Sequence, residues 1–141
     1  MPARIATQLT KHLGRLFETG GADVIGNLCT YPLPVHSAND YHVIARPSDF
    51  SAALKHLLQA QEAKGLAQPQ ARVIATEIPV NHRFRMWIDC VFTDSTSGKR
   101  IHAHTIFYCS GLGQRVGIEM IQCCTPTDAA TPPDRTALQI A

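Results

Sequence analysis

Two hydrophobic periods follow one another along the chain. Ile5, Leu9, Leu13, Leu16 and Phe17 recur at helical spacing, and Gly20-Gly21 can end that helix. A shorter helix is predicted from Ala22 to about Cys29, with Val24, Ile25 and Leu28 inward. Pro32 and Pro34 prevent its continuation and force an extended path. Tyr41–Ala45 reads as a short strand. Ser48 can cap a third helix that turns Phe50, Leu54, Leu57 and Leu58 toward the core and ends at Gly65. From Ala71 the period shortens to two, which predicts strands at about 71–78, 82–94, 99–110 and 115–124. Pro79 and Asn81, then Ser95–Gly98, then Gly111–Gln114 mark the reversals. Helices first and long strands afterwards give an α+β layout, with helices on one side of a curved sheet. The tail from Thr125 (TPTDAATPPDRTALQIA) has little to bury and is expected to be flexible, leaving residues 1–124 as a single domain.

If Asp94 pairs with Lys99 and Ser110 with Arg115, the side chains sort onto two faces. One carries Phe84, Met86, Ile88, Cys90 and Phe92, with Ile101, Ala103, Thr105, Phe107, Cys109, Val116, Ile118 and Met120. It is almost wholly apolar, and a layer of helices can cover it. The other carries Arg85, Trp87, Asp89 and Val91, with His102, His104, Ile106, Tyr108, Glu119, Ile121 and Cys123. A wet face would not need so many apolar groups, so a second cover is expected. A second copy of the chain, docked through Arg85, Trp87, His102, Ile106, Tyr108 and Ile121, is the economical one.

Composition narrows the partners. The 141 residues fit one domain able to build its own core, and the formal charge of +2 comes from scattered basic and acidic residues. No basic stripe points to nucleic acid. The N-terminal MPARIATQLTKHLG lacks the apolar run of a signal peptide, and no segment approaches the roughly 18 apolar residues of a membrane span. No membrane association and a cytoplasmic location are therefore expected. Five cysteines without a CxxC spacing read as reduced core thiols. No dinucleotide fingerprint, phosphate loop, GxSxG elbow or HExxH occurs.

The stretch RIHAHTIFYC, residues 100–109, is the strongest hint of chemistry. The register sets Asp89 directly opposite His104, with His102 on the same face about 7 Å along the strand. Two alternate histidines and a carboxylate suit a zinc or ferrous ion, or a carboxylate-oriented general base, with His104 as base and Asp89 orienting it. They also suit, and are expected to be, polar members of a buried interface or of a wet sheet face. No metal or other cofactor is expected. His36, with Tyr31 and Tyr41, can place polar groups at the mouth of an apolar pocket, or be a solvated loop residue. His12 and His56 read as structural or solvent-facing, and His82 as a turn residue.

This succession of elements resembles the nuclear transport factor 2-like superfamily, and in particular its small SnoaL-like, polyketide-cyclase-like bacterial members. The resemblance covers residues 5–124: N-terminal helices, the YPLPVH connector, the PSDFSAALKHLLQAQEAKG helix, and the strands RFRMWIDCVFTD, KRIHAHTIFYC and QRVGIEMIQCC. It implies a cone-shaped, curved mixed or antiparallel sheet with the N-terminal helices packed on its concave face, enclosing a hydrophobic pocket, and a tendency to dimerise. It implies a small apolar or aromatic ligand in the cone, contacted by Phe84, Met86, Ile88, Phe92, Phe107 and Ile118 and oriented by Tyr31, His36 or Tyr41. Superfamily members also include isomerases, dehydratases and cyclases that work by general acid–base catalysis, to which His104 and Asp89 would correspond. Others are protein-interaction domains.

Overall fold

The computed structural model describes residues 2–37, 40–112, 115–123 and 138–140. Among the described residues three helices are followed or interleaved by seven strands: α1 (Pro2–Leu13), α2 (Gly21–Leu28), β1 (Leu33–Ser37), β2 (Asp40–Ile44), α3 (Pro47–Ala63), β3 (Leu66–Glu77), β4 (Arg83–Asp94), β5 (Arg100–Leu112), β6 (Arg115–Cys123) and β7 (Leu138–Ile140). The strands form one mixed sheet in the order β2-β1-β6-β5-β4-β3-β7. β1 runs parallel to β6, and every other neighbouring pair is antiparallel.

Helix boundaries follow local chemistry. α1 stops at Leu13, yet Leu16 remains buried in the turn that follows. At Gly21 a Cβ atom would lie 1.9 Å from the carbonyl oxygen of Arg15, so the chain turns tightly there only because the residue is glycine. α3 begins at Pro47, with Arg46 as an extended cap residue that makes no side-chain cap bond. The first helical position suits proline, whose missing N–H would be unpaired there anyway, so Ser48 lies inside the helix rather than capping it. Val24 and Leu57, expected inward, are exposed.

One apolar core joins helices and sheet. Leu9 and Leu13 of α1, Ile25 of α2 and Phe50 of α3 cluster with Leu33, Phe84, Met86, Ile88, Phe92, Phe107 and Ile118. Burying each of these side chains is worth about 1.5–3 kcal/mol, which makes this layer the main source of stability.

Two expectations about shape are corrected here. The sheet is not closed or strongly curled, so it forms no cone or barrel: β2 and β7 are separate edges at opposite ends of the strand order. The hydrophobic pocket expected between helices and sheet is likewise replaced by packed side chains. Met86, Ile88 and Ile118 are fully enclosed there against Leu9, Leu13 and Ile25. The helical leucines have filled the space a ligand would need.

The β4–β5 register matches the expected one throughout, from Phe84↔Cys109 past Asp89↔His104 to Thr93↔Arg100. Its loop is held by the Asp94 carboxylate, which accepts from the backbone N–H groups of Thr96 (2.9 Å) and Ser97 (3.4 Å), and Gly98 turns at φ 74°. Those bonds hold the Asp94 carboxyl below the usual carboxylate range. The β5–β6 register differs. Leu112, not Ser110, pairs with Arg115, and a bulge between Tyr108 and Cys109 shifts the ladder by one residue. Past that bulge Phe107 opposes Ile121 and Tyr108 opposes Met120. Ile121 therefore joins the helix-covered core instead of the outer face, and Met120 takes the outer position. β3 starts earlier than its period suggested. A bulge between Ala67 and Gln70 accommodates Pro69 and a positive φ at Gln68, and a second shift falls between Val73 and Ala75. Of the tail expected from Thr125 onward, Leu138–Ile140 pair with Ala75–Glu77; the segment 124–137 lies outside the described residues.

Candidate functional site

Asp89 is the one buried carboxylate among the described residues, and it sits on the face turned away from the helices. Both of its oxygens accept from His102 Nδ1, at 3.0 and 2.9 Å. His104 approaches less closely, with Nε2 3.5 Å from Oδ1, and the Arg72 guanidinium lies 3.8 Å from Oδ2. A carboxylate offers only acceptors, so the proton of the short contact belongs to His102 Nδ1. That leaves His102 Nε2 as the open atom of a ring held in one orientation. Sequence register set His104 opposite Asp89, as observed, but the hydrogen bonds come from the diagonal neighbour His102. His102 is also the accessible imidazole, with 48% of its side chain exposed against 12% for His104. His104 Nδ1 is buried and has no hydrogen-bond partner among the described residues.

Next to this cluster, Trp87 is covered by Ile74, Ala75, Ile106 and the Arg85 guanidinium, whose central carbon lies 4.9 Å from the ring centroid. Arg85 is itself fixed. Its Nε and a terminal nitrogen donate to Glu77 Oε2 at 3.1 and 2.6 Å, and its backbone N–H donates to Oε1 at 3.1 Å. The hydrogen-bonded carboxylate of Glu77 holds the Arg85 pKa above its ordinary value.

Arg85 also lines an open groove of about 810 Å³ where β3 turns into β4. Its apolar side is Pro34, Ile78, Val80 and Phe84; its polar side is Glu77, Arg83, Tyr108 and Glu119. Ile78 and Val80 are 57% and 69% exposed, unusual for such side chains on adjacent parts of one turn. Arg83 and Glu119 pair across the groove at 3.6 Å, and the Tyr108 hydroxyl donates to Gln122 at 2.9 Å. A second groove, of about 520 Å³, lies at the other end of the strands beside His102.

Of the residues expected to contact a ligand, Phe84 alone lines one of these grooves. Met86, Ile88, Phe92, Phe107 and Ile118 are in the packed core. Tyr31 follows Cys29 after a half-turn and donates its hydroxyl to the Gly26 carbonyl; the Tyr31–Pro32 peptide bond is cis. His36 and Tyr41 pair across β1 and β2 with ring centroids 4.7 Å apart, at the sheet edge. Sequence reasoning missed the Glu77–Arg85 pair and the exposed Ile78 and Val80. A signal existed: in EIPVNHRFR the acid and the arginine stand symmetrically about the turn, so a tight reversal sets opposite charges side by side.

Three thiols, Cys29, Cys90 and Cys109, are poor nucleophiles. Burial pushes Cys29 and Cys90 from the ordinary 9.0 up to about 12, and pushes Cys109 upward too. Tyr31 is also shifted up, by burial and by its neighbour Cys29. Among the described residues no group of three or more His, Cys, Asp or Glu side chains is placed to hold a metal ion. Nor is any described helix long and apolar enough to cross a membrane.

No protein-family model and no curated protein matches this sequence. Solved structures do match in shape. An NTF-2-like protein of unknown function from Shewanella oneidensis superposes with a TM-score of 0.62 at 14% identity, covering 89% of this chain and 100% of that one. A domain of unknown function with a cystatin-like fold from Nostoc punctiforme gives 0.61 at 7% identity, covering 84% and 75%. The protein Aln2 from a Streptomyces species gives 0.58 at 11% identity, covering 84% and 86%. At such identities the likeness is one of fold: the chain has the broad nuclear transport factor 2-like fold.

Proposed function

We propose that this domain binds a small, uncharged molecule with an apolar or aromatic body in the groove between Ile78 and Glu119. The observation that carries the reading is the pairing of two exposed aliphatic side chains, Ile78 and Val80, with a rim whose charges are already matched. Glu77 neutralises Arg85 and Glu119 neutralises Arg83, so a charged ligand would have to displace a partner. Tyr108 donates its proton to Gln122, and its oxygen faces the Arg85 guanidinium, so this rim too is already paired. The NTF2-like fold supports a ligand-binding role by analogy only.

Trp87 is the only tryptophan of the chain and stacks under Arg85, so its emission reports on the groove. Titration with neutral aromatic fragments is expected to change Trp87 fluorescence saturably, and Val80→Asp is expected to abolish that response while leaving the far-ultraviolet circular dichroism unchanged. A response that survives Val80→Asp would overturn the reading.

A second reading is self-association through the face around Trp87. The helix layer packs on the opposite side, and no described helix residue joins the Trp87 cluster. Sedimentation of the intact chain decides it: a dimer that Ile106→Glu converts to monomer supports the interface, and a monomer at all concentrations rejects it.

A further inference from the structure

The end of the sheet away from the Ile78–Glu119 groove carries a different set of side chains. Strand pairing lays them out as a grid. Arg72, Asp89 and His104 form one row across β3, β4 and β5; Gln70, Val91 and His102 form the next; Arg100, opposite Thr93, stands in the third. Rows are about 7 Å apart along the strands and neighbouring strands about 4.8 Å apart. Val91 thus becomes a small apolar floor, with Gln70 and His102 beside it and Arg72 and Arg100 at opposite corners. The groove of about 520 Å³ opens over this floor, and Phe17 from the α1–α2 connection lines it as well.

The charges do not cancel there. Among the described residues Asp89 is the only carboxylate beneath the floor, and it is shared between Arg72 at 3.8 Å and His102 at 2.9 Å. Glu18, at the rim, lies 3.9 Å from Arg15, outside the grid. Arg100 has no ion pair among the described residues. Two guanidinium groups therefore face one carboxylate, leaving about one positive charge uncompensated. Guanidinium groups recognise carboxylates through paired, planar hydrogen bonds. His102 adds a requirement of another kind. Its Nδ1–H is committed to Asp89, so in the neutral ring Nε2 presents a lone pair and calls for a donor on the ligand.

We infer that this groove is a second binding site, specific for a small monocarboxylate that carries a hydroxyl group and an apolar body. Arg72 and Arg100 hold the carboxylate, His102 Nε2 accepts from the hydroxyl, and the apolar part lies on Val91. One unit of uncompensated charge matches a carboxylate better than a phosphate monoester, which carries about −1.5 to −2 at neutral pH. Because both arginines are solvent-exposed, the affinity belongs in the millimolar range. The inference does not depend on the neutral-ligand groove, which lies at the other end of β4 and takes the opposite kind of ligand.

The test is an amide NMR titration of the full chain at constant ionic strength with mandelate, with phenylacetate (the same acid without the hydroxyl), and with inorganic phosphate. Mandelate is expected to saturate and to move the amides of Gln70, Arg72, Val91, Arg100 and His102. Phenylacetate should bind several-fold more weakly, and phosphate more weakly still, in line with one lost hydrogen bond and a mismatched charge. Arg72→Gln with Arg100→Gln should weaken mandelate at least about tenfold with amide dispersion unchanged, since neither side chain supports the core. His102→Phe should equalise mandelate and phenylacetate. Perturbations confined to Ile78–Arg85, or a double arginine variant that binds mandelate as the parent does, would overturn the site. Tighter binding of phosphate than of mandelate would overturn the carboxylate assignment, and equal binding of the two acids by the parent would overturn the role of His102.

Discussion

The two faces of the β4–β5 hairpin are built from the same two strands, yet their side chains are held in different ways. On the helix-covered side, Phe84, Met86, Ile88, Phe92 and Phe107 meet Leu9, Leu13, Leu16 and Ile25 in one dry, fully packed layer. On the other side the alternate residues of those strands are Arg85, Trp87, Asp89, His102 and Tyr108, each tied to a polar or aromatic neighbour. Close packing gives the first face stability and leaves it no room for a ligand. The second face has weaker, more exposed contacts, and both grooves draw on it. Folding free energy and the proposed binding chemistry are thus separated by the two-residue period of a strand.

The largest effect expected to sharpen this contrast is an alkaline one. Cys29, Cys90 and Cys109 all belong to the helix-covered side, and their folded pKa values are raised by burial. Their contribution is complete below the ordinary thiol value of 9.0 and is lost as pH rises toward about 12, because the unfolded chain ionises first. Urea denaturation should show stability falling over that window, and Cys90→Ala should make the fall shallower than in the parent. An equally steep fall in the variant would detach the effect from that thiol.

Next in size is Ile88→Ala, which removes a fully enclosed side chain from the packed layer. It should cost about 2–5 kcal/mol in urea denaturation. Asp89→Asn, the neighbouring residue on the opposite face, should cost less, about 1–3 kcal/mol, through loss of the His102 contact. If the Asn variant proves the more damaging of the two, the outer face carries more of the stability than packing implies. The smallest effect belongs to Glu77→Gln. Its pair with Arg85 is partly exposed, so the change should stay below about 1 kcal/mol. It should still alter Trp87 emission, because the guanidinium over the ring loses its anchor.

The legibility of the sequence varied from hairpin to hairpin. In β4–β5 an unbroken alternation meets the short loop Ser95–Gly98, so the register of Asp89 and His104 follows from counting. In β5–β6 the bulge at Tyr108–Cys109 leaves no mark in the alternation, because Met120 and Ile121 are both apolar and either can face inward. The site was legible as a set of residue types and not as an arrangement. Asp89, His102 and His104 stand out on one face, but the choice of His102 over His104 depends on side-chain directions within a few ångströms.

By itself the sequence determined the α+β order of elements, the apolar identity of one face and the β4–β5 register. These rest on local periodicity and on turns that tolerate few residues. Only the tertiary structure decided that the sheet stays open, that β1 joins β6 in parallel, and that the helices fill the space where a pocket was expected. Those outcomes depend on how volumes fit between elements far apart in the chain. A one-residue bulge or a single leucine turned inward changes that fit without changing the pattern.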